Sequence, residues 1–226
     1  MFVGHIGVAL AAKRVAPRTS LGTLVGAAVF LDLVWPILVL AGAEVVRIDP
    51  GNTAFTPLDF VHYPFTHGAV AVVLWSAVLG SLALARTGDG RGAAVVGALV
   101  ASHWVLDLVT HRPDLPLLWS EPKVGLGLWS SVPATLAVEL AIFAAGVALY
   151  VRATRRGDRA GGIALWALVL FLLVVYAANV LGPPPPSARA VAVAGLAQWL
   201  FVPWGAYIDR HRSAQETSRR GAAVIA

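Results

Sequence analysis

Three ionisable side chains, His103, Asp107 and His111, recur at four-residue spacing inside the otherwise apolar stretch 92–111. On an α-helix they stack on one face, drifting by about 40° per step. Ionisable groups at membrane depth are costly and turn towards a bundle interior or a wet cavity, so this stripe reads as a site rather than decoration facing lipid. The chain has no cysteine. A metal here would therefore rely on imidazole and carboxylate, and a zinc ribbon or disulfide scaffold is excluded.

The surrounding chain must hold that stripe inside a membrane. Of 226 residues 58% are hydrophobic and 13% charged, too apolar for an ordinary soluble domain. Apolar stretches of crossing or near-crossing length run over 21–43, 65–85, 92–110, 129–151, 161–181 and 190–208. The expected fold class is all-α: a polytopic helical bundle of about six transmembrane helices, residues 1–212 forming one domain and 213–226 a polar, disordered cytoplasmic tail. Alternate connections carry 13 and 4 of the 17 Lys and Arg, which places both termini in the cytoplasm by the positive-inside rule. The net charge of +5 is thus an orientation signal, and no nucleic-acid partner is expected. Residues 2–12 are too few to cross; they read as a half-helix dipping inward or as an amphipathic helix on the surface. Basic residues follow this stretch instead of preceding it, unlike a secretory signal, so it is expected to be retained.

Helical rise puts Asp32 about 16 Å above the cytoplasmic edge, His103 about 18 Å, Glu139 about 20 Å and Asp107 about 24 Å. His67 and His111 come out at about 28 and 30 Å, roofing the cluster in a site expected to open outward. A half-helix would lift His5 about 12 Å, towards Asp32. Each residue also has a plainer reading. Polar side chains serve as packing contacts between membrane helices, Glu139 could partner an arginine or histidine, and His111, Arg112 and Asp114 could cap their helix before Pro113. His62 and Asp59 read as loop residues, His211 as a basic flank, and Tyr176 and Asn179 as packing contacts.

Four elements together resemble the bacterial membrane-bound metal-dependent hydrolases of YdjM type, also described as LexA-binding inner-membrane hydrolases. They are Gly4-His5; Asp32-Leu33-Val34-Trp35-Pro36; His62-Tyr63-Pro64-Phe65-Thr66-His67-Gly68; and Ser102-His103 with Asp107. The resemblance covers roughly residues 1–120. The chain departs from the family where the second acid and the histidine of the first acidic element are Val34 and Trp35, and where Gly68 replaces a serine. Further marks, His111-Arg112-Pro113-Asp114 and Lys123-Val124-Gly125-Leu126-Gly127, suit a divergent subgroup. The resemblance implies a metal-dependent hydrolase of the bacterial inner membrane; LexA binding is not carried over, because no motif here supports it.

The residues and the resemblance combine into one expectation. His67, His103 and Asp107 bind one divalent cation, zinc by donor type, with His5 or Asp32 completing the set; Asp32 and Glu139 are the candidate catalytic acid and base. His111, Arg112 and Asp114 are the candidate substrate contacts, Arg112 being suited to phosphate or carboxylate. The substrate would be a lipid or another amphiphile drawn from the bilayer, cleaved at an ester, amide or phosphoester. Two alternatives stand beside this: a transporter or ion permease using the same midplane cluster, and a membrane scaffold with a structural metal. Neither an internal repeat nor a matched pair of broken helices, the common marks of transporters, is visible in the sequence.

Overall fold

The computed structural model describes residues 1–214; the expected polar tail lies outside them from residue 215 onward. Helix α1 spans Val3–Ala12, α2 Leu21–Ala28, α3 Phe30–Leu40, α4 Pro64–His67, α5 Ala69–Thr87, α6 Gly90–Thr110, α7 Val132–Ala153, α8 Arg159–Leu181, α9 Ala188–Gly195 and α10 Phe201–Arg210. Short strands β1 (Val45–Ile48) and β2 (Leu58–His62), β3 (Leu115–Pro116) and β4 (Lys123–Val124), and β5 (Thr154–Arg156) and β6 (Arg212–Ala214) form three antiparallel pairs. Among the described residues, five helices are long and apolar enough to cross a membrane, or six if the bent pair α2–α3 is one span. The all-α bundle expected from the sequence is therefore present, and β6 runs two residues past its expected boundary at 212.

Helix starts follow local chemistry. Ser20, Asp89, Ser131, Asp158 and Ser187 each accept a backbone N–H of the first turn of α2, α6, α7, α8 and α9, satisfying donors that a helix leaves free. Three spans differ from the simple reading. The first breaks at Val29, with a 54° bend between α2 and α3. The second begins later, because Gly68 separates the single turn α4 from α5. In the last, a 3₁₀ stretch over Leu196–Leu200 joins α9 to α10.

The half-helix expected near the start of the chain lies inside the bundle, since Val3, Gly4, His5, Ile6, Gly7, Ala9, Leu10 and Ala12 of α1 are all buried. It packs on α7, α2 and α6. A Cβ on Gly7 would stand 2.8 Å from the Ile142 carbonyl oxygen and from Phe143 Cα, and one on Gly146 would strike the Gly7 backbone. Small residues admit such backbone-to-backbone packing between membrane helices. The arginine-rich connections share one end of the bundle, where Lys13 Nζ donates to Asp209 at 2.7 Å and β5 pairs with β6. At the opposite end lie the β1–β2 hairpin and the β3–β4 connection.

Candidate metal centre

Helix α6 delivers the core of the site. His103, Asp107 and His111 stand on one face as their spacing requires, and all three are buried. His103 Nδ1 lies 2.8 Å from the Ala28 carbonyl oxygen. A carbonyl only accepts, so Nδ1 carries the proton and Nε2 presents a lone pair. Ala28 is the last residue of α2, and the bend after it leaves a helix-terminal carbonyl in need of a donor. The break in the first span thus fixes the tautomer of a histidine in another helix.

That lone pair faces oxygens. His103 Nε2 is 3.2 Å from Asp107 Oδ2 and 3.7 Å from Asp32 Oδ1, yet it is buried with no hydrogen-bond partner. His67 Nε2 lies 3.6 Å from each of the same two carboxylates. Asp32 sits in the first turn of α3 and His67 ends α4, so side chains from three segments converge within 4 Å. Two histidine–carboxylate groups could hold an ion: His5, His103 and Asp107, and Asp32, His67 and His103, the ligand atoms of each lying within 4.8 Å of one another. They share His103. Nitrogen lone pairs set against carboxylates among buried side chains suit a cation between them.

His5 comes from α1. Its ring stacks on His103 with centroids 3.7 Å apart and planes at 6°, and its Nε2 is 3.1 Å from Asp107 Oδ1. The α-amino group of Met1 donates to the same oxygen at 2.5 Å. Glu139, the expected acid or base, accepts instead from the backbone N–H groups of Phe2 at 2.8 Å and Gly4 at 3.4 Å. That oxygen, Oε2, satisfies donors at the start of α1 and helps hold the helix in place, while Oε1 is buried without a hydrogen-bond partner.

At the end away from the arginine-rich connections, His111 Nδ1 lies 2.8 Å from Asp114 Oδ1, and its Nε2 is 4.0 Å from Asp107. The Tyr63 hydroxyl donates to Asp114 at 3.2 Å; burial and Asp114 hold that phenol well above the ordinary tyrosine range, so it stays a donor. Arg112, expected to meet substrate, pairs with Asp59 at 2.5 Å and with Asp114 at 3.3 Å, its side chain 42% exposed. Asp59, read from sequence as a loop residue, is on β2 and ties that hairpin to the end of α6 through Arg112. His67 and His111 do roof the cluster, but both are buried, and the exposed edge is Asp32, whose side chain is 22% accessible.

Three participants escape a sequence reading. The Ala28 carbonyl carries no side-chain signal at all. Thr66 lies between its hydroxyl partners His67 Nδ1 at 2.7 Å and Glu44 Oε2 at 2.8 Å. Glu44 is buried beyond the end of α3 and also accepts the N–H groups of Phe65 and Thr66 at 2.9 Å. Burial pushes its carboxyl above the usual range, opposed by the charge of His67 and by these hydrogen bonds. The one visible clue to Glu44 is an acid beside an apolar span. No protein-family model, curated protein or solved structure matches the chain.

Proposed function

We propose that the chain is a metal-dependent hydrolase of the bacterial inner membrane, with both termini cytoplasmic, and that His67, His103 and Asp107 hold one divalent cation with His5 or Asp32 completing the set. The observation that carries this reading is the buried, unpartnered Nε2 of His103 standing 3.2 and 3.7 Å from two carboxylate oxygens. With His103 neutral and no ion between them, that arrangement sets acceptors against acceptors in a low-dielectric interior, which is costly. The motif resemblance supports the reaction class, and the arginine distribution supports the orientation.

A bound divalent cation would lower the pKa of water towards about 7. Asp32, the partly exposed carboxylate, takes the proton from attacking water at the edge where substrate arrives. Asp107 supplies negative charge from the buried side of the cluster, and Ala28 keeps His103 in its ligand tautomer. Glu139 and the Arg112–Asp59 pair hold α1 and the β1–β2 hairpin over the site. The substrate class is a lipid or amphiphile with an ester, amide or phosphoester bond, because Asp32, the partly exposed carboxylate, lies on the bent α2–α3 candidate span.

Metal content tests the reading directly. Tag-free protein purified without chelator should contain about one equivalent of metal by mass spectrometry, and His103→Ala and Asp107→Ala should each lose it. Well-folded wild-type protein without metal would sink the proposal. A second reading, an ion permease, is favoured by the break at Val29, since discontinuous helices with freed carbonyls commonly build transport sites. It predicts flux in proteoliposomes, abolished by Asp107→Ala, with no hydrolysis of any lipid ester.

A further inference from the structure

We infer that Glu44 is a positioning residue for the metal centre, acting through Thr66 to hold His67 as the Nδ1–H tautomer with its Nε2 lone pair turned towards Asp32 and Asp107. This rests on the metal-site reading above for its function, though not for its geometry. A hydroxyl has one proton to give. Thr66 Oγ1 donates that proton to Glu44 Oε2 at 2.8 Å, so towards His67 Nδ1 at 2.7 Å it can only accept, and Nδ1 must be the protonated nitrogen. The same carboxylate is fixed from its other side by the N–H groups of Phe65 and Thr66, both 2.9 Å from Oε1. Four atoms in a row therefore have their donor directions set by a group outside the candidate ligand set.

The device matches what Ala28 does for His103, with a carboxylate and a hydroxyl in place of a carbonyl. Ligating histidines depend on such outer partners to fix ring orientation and tautomer, and loss of one typically costs 10–100-fold in metal affinity. Gly68 follows His67 directly, and a Cβ there would lie 2.9 Å from the Leu118 carbonyl oxygen, so the turn carrying His67 is also confined from behind.

Glu44→Gln is the informative variant. Its amide oxygen can still accept the two backbone N–H groups, but its NH2 then donates to Thr66 Oγ1. The threonine proton swings to His67 Nδ1, and the imidazole proton is driven to Nε2, on the side of Asp32 and Asp107. Two measurements at pH 8 read this. Histidine side-chain ¹⁵N spectra of metal-free protein, assigned with His67→Gln, should show Nδ1–H in wild type and Nε2–H in Glu44→Gln. Cobalt(II) titration should show affinity lower by about 10–100-fold in Glu44→Gln and Thr66→Val, with Thr66→Ser close to wild type. If Glu44→Gln is poorly folded, Thr66→Val and Thr66→Ser carry the comparison. The inference is overturned if wild-type His67 carries its proton on Nε2, or if wild type binds cobalt and Glu44→Gln and Thr66→Val bind it equally well. Wild type that binds no cobalt yet shows the tautomer and its reversal would defeat the metal proposal while upholding the positioning role.

Discussion

His103 is the residue on which the site turns, being common to both candidate ligand groups. A ligand that binds only the folded state stabilises it by about 2.7 kcal/mol when present at 100 times its dissociation constant. Zinc at that excess should therefore raise the thermal midpoint of detergent-solubilised protein, chelator should reverse the rise, and His103→Ala should show neither. An equal zinc effect in the variant would move the bound ion elsewhere. Asp158 allows a separate test away from the membrane interior. Its carboxylate accepts the Gly161 N–H at 2.9 Å, starting α8, and lies 2.6 Å from His211 Nδ1; these bonds hold its pKa below the ordinary value. A depressed carboxyl pKa stabilises the fold above the unfolded value of about 4 and loses that contribution as pH falls through the folded one. Asp158→Asn should thus lower the thermal midpoint at pH 7, with the gap to wild type closing in strong acid.

Between helices, the decisive contact is Gly7 against Gly146. A methyl group at either position meets backbone, which cannot move aside as a side chain can. Gly146→Ala should cost about 1–3 kcal/mol by overpacking and should shift His5 off the ring of His103. Gly90→Ala is the control, because nothing lies within 4 Å of a Cβ there; its midpoint should not fall below the wild-type value, since Gly→Ala in a helix without a clash is neutral to stabilising. These elements also show what a sequence can disclose. The α6 stripe is legible because a helix converts four-residue spacing into one face, and His5 became legible because an apolar segment too short to cross must go part-way or lie flat. The bend at Val29 was not, since the nearest strong breaker, Pro36, lies inside α3 and the chain gives way seven residues earlier. Ala28 is held there by a partner 75 residues away, and local propensity carries no record of such a contact. Glu44 escapes for the same reason, its partners being 21 and 22 residues further on, in a separate segment.

Seen from its two ends, the bundle is polarised. One end carries Lys13, Arg86, Arg152 and Arg210, while the other carries the hairpins. The lack of cysteine makes this directly testable. Under the proposed orientation, single Thr56→Cys and Ser120→Cys variants should react with an impermeant maleimide added outside intact cells. Thr87→Cys and Gly157→Cys should react only after permeabilisation, and labelling of all four from one side would reject the topology.

The burial of α1 against α7 also has a temporal side. The Phe2 amide and its acceptor Glu139 are 137 residues apart, and synthesis runs from the first towards the second. Until α7 is made, α1 has neither the carboxylate that holds its start nor the glycine that admits Gly7, and a ten-residue helix cannot span the bilayer while it waits. His5 therefore reaches its place only after the helix carrying His103 and Asp107 is already inserted. Full assembly of this centre therefore waits on α7, and a ribosome stalled before residue 132 would hold His5, His103 and Asp107 without the helix against which α1 packs.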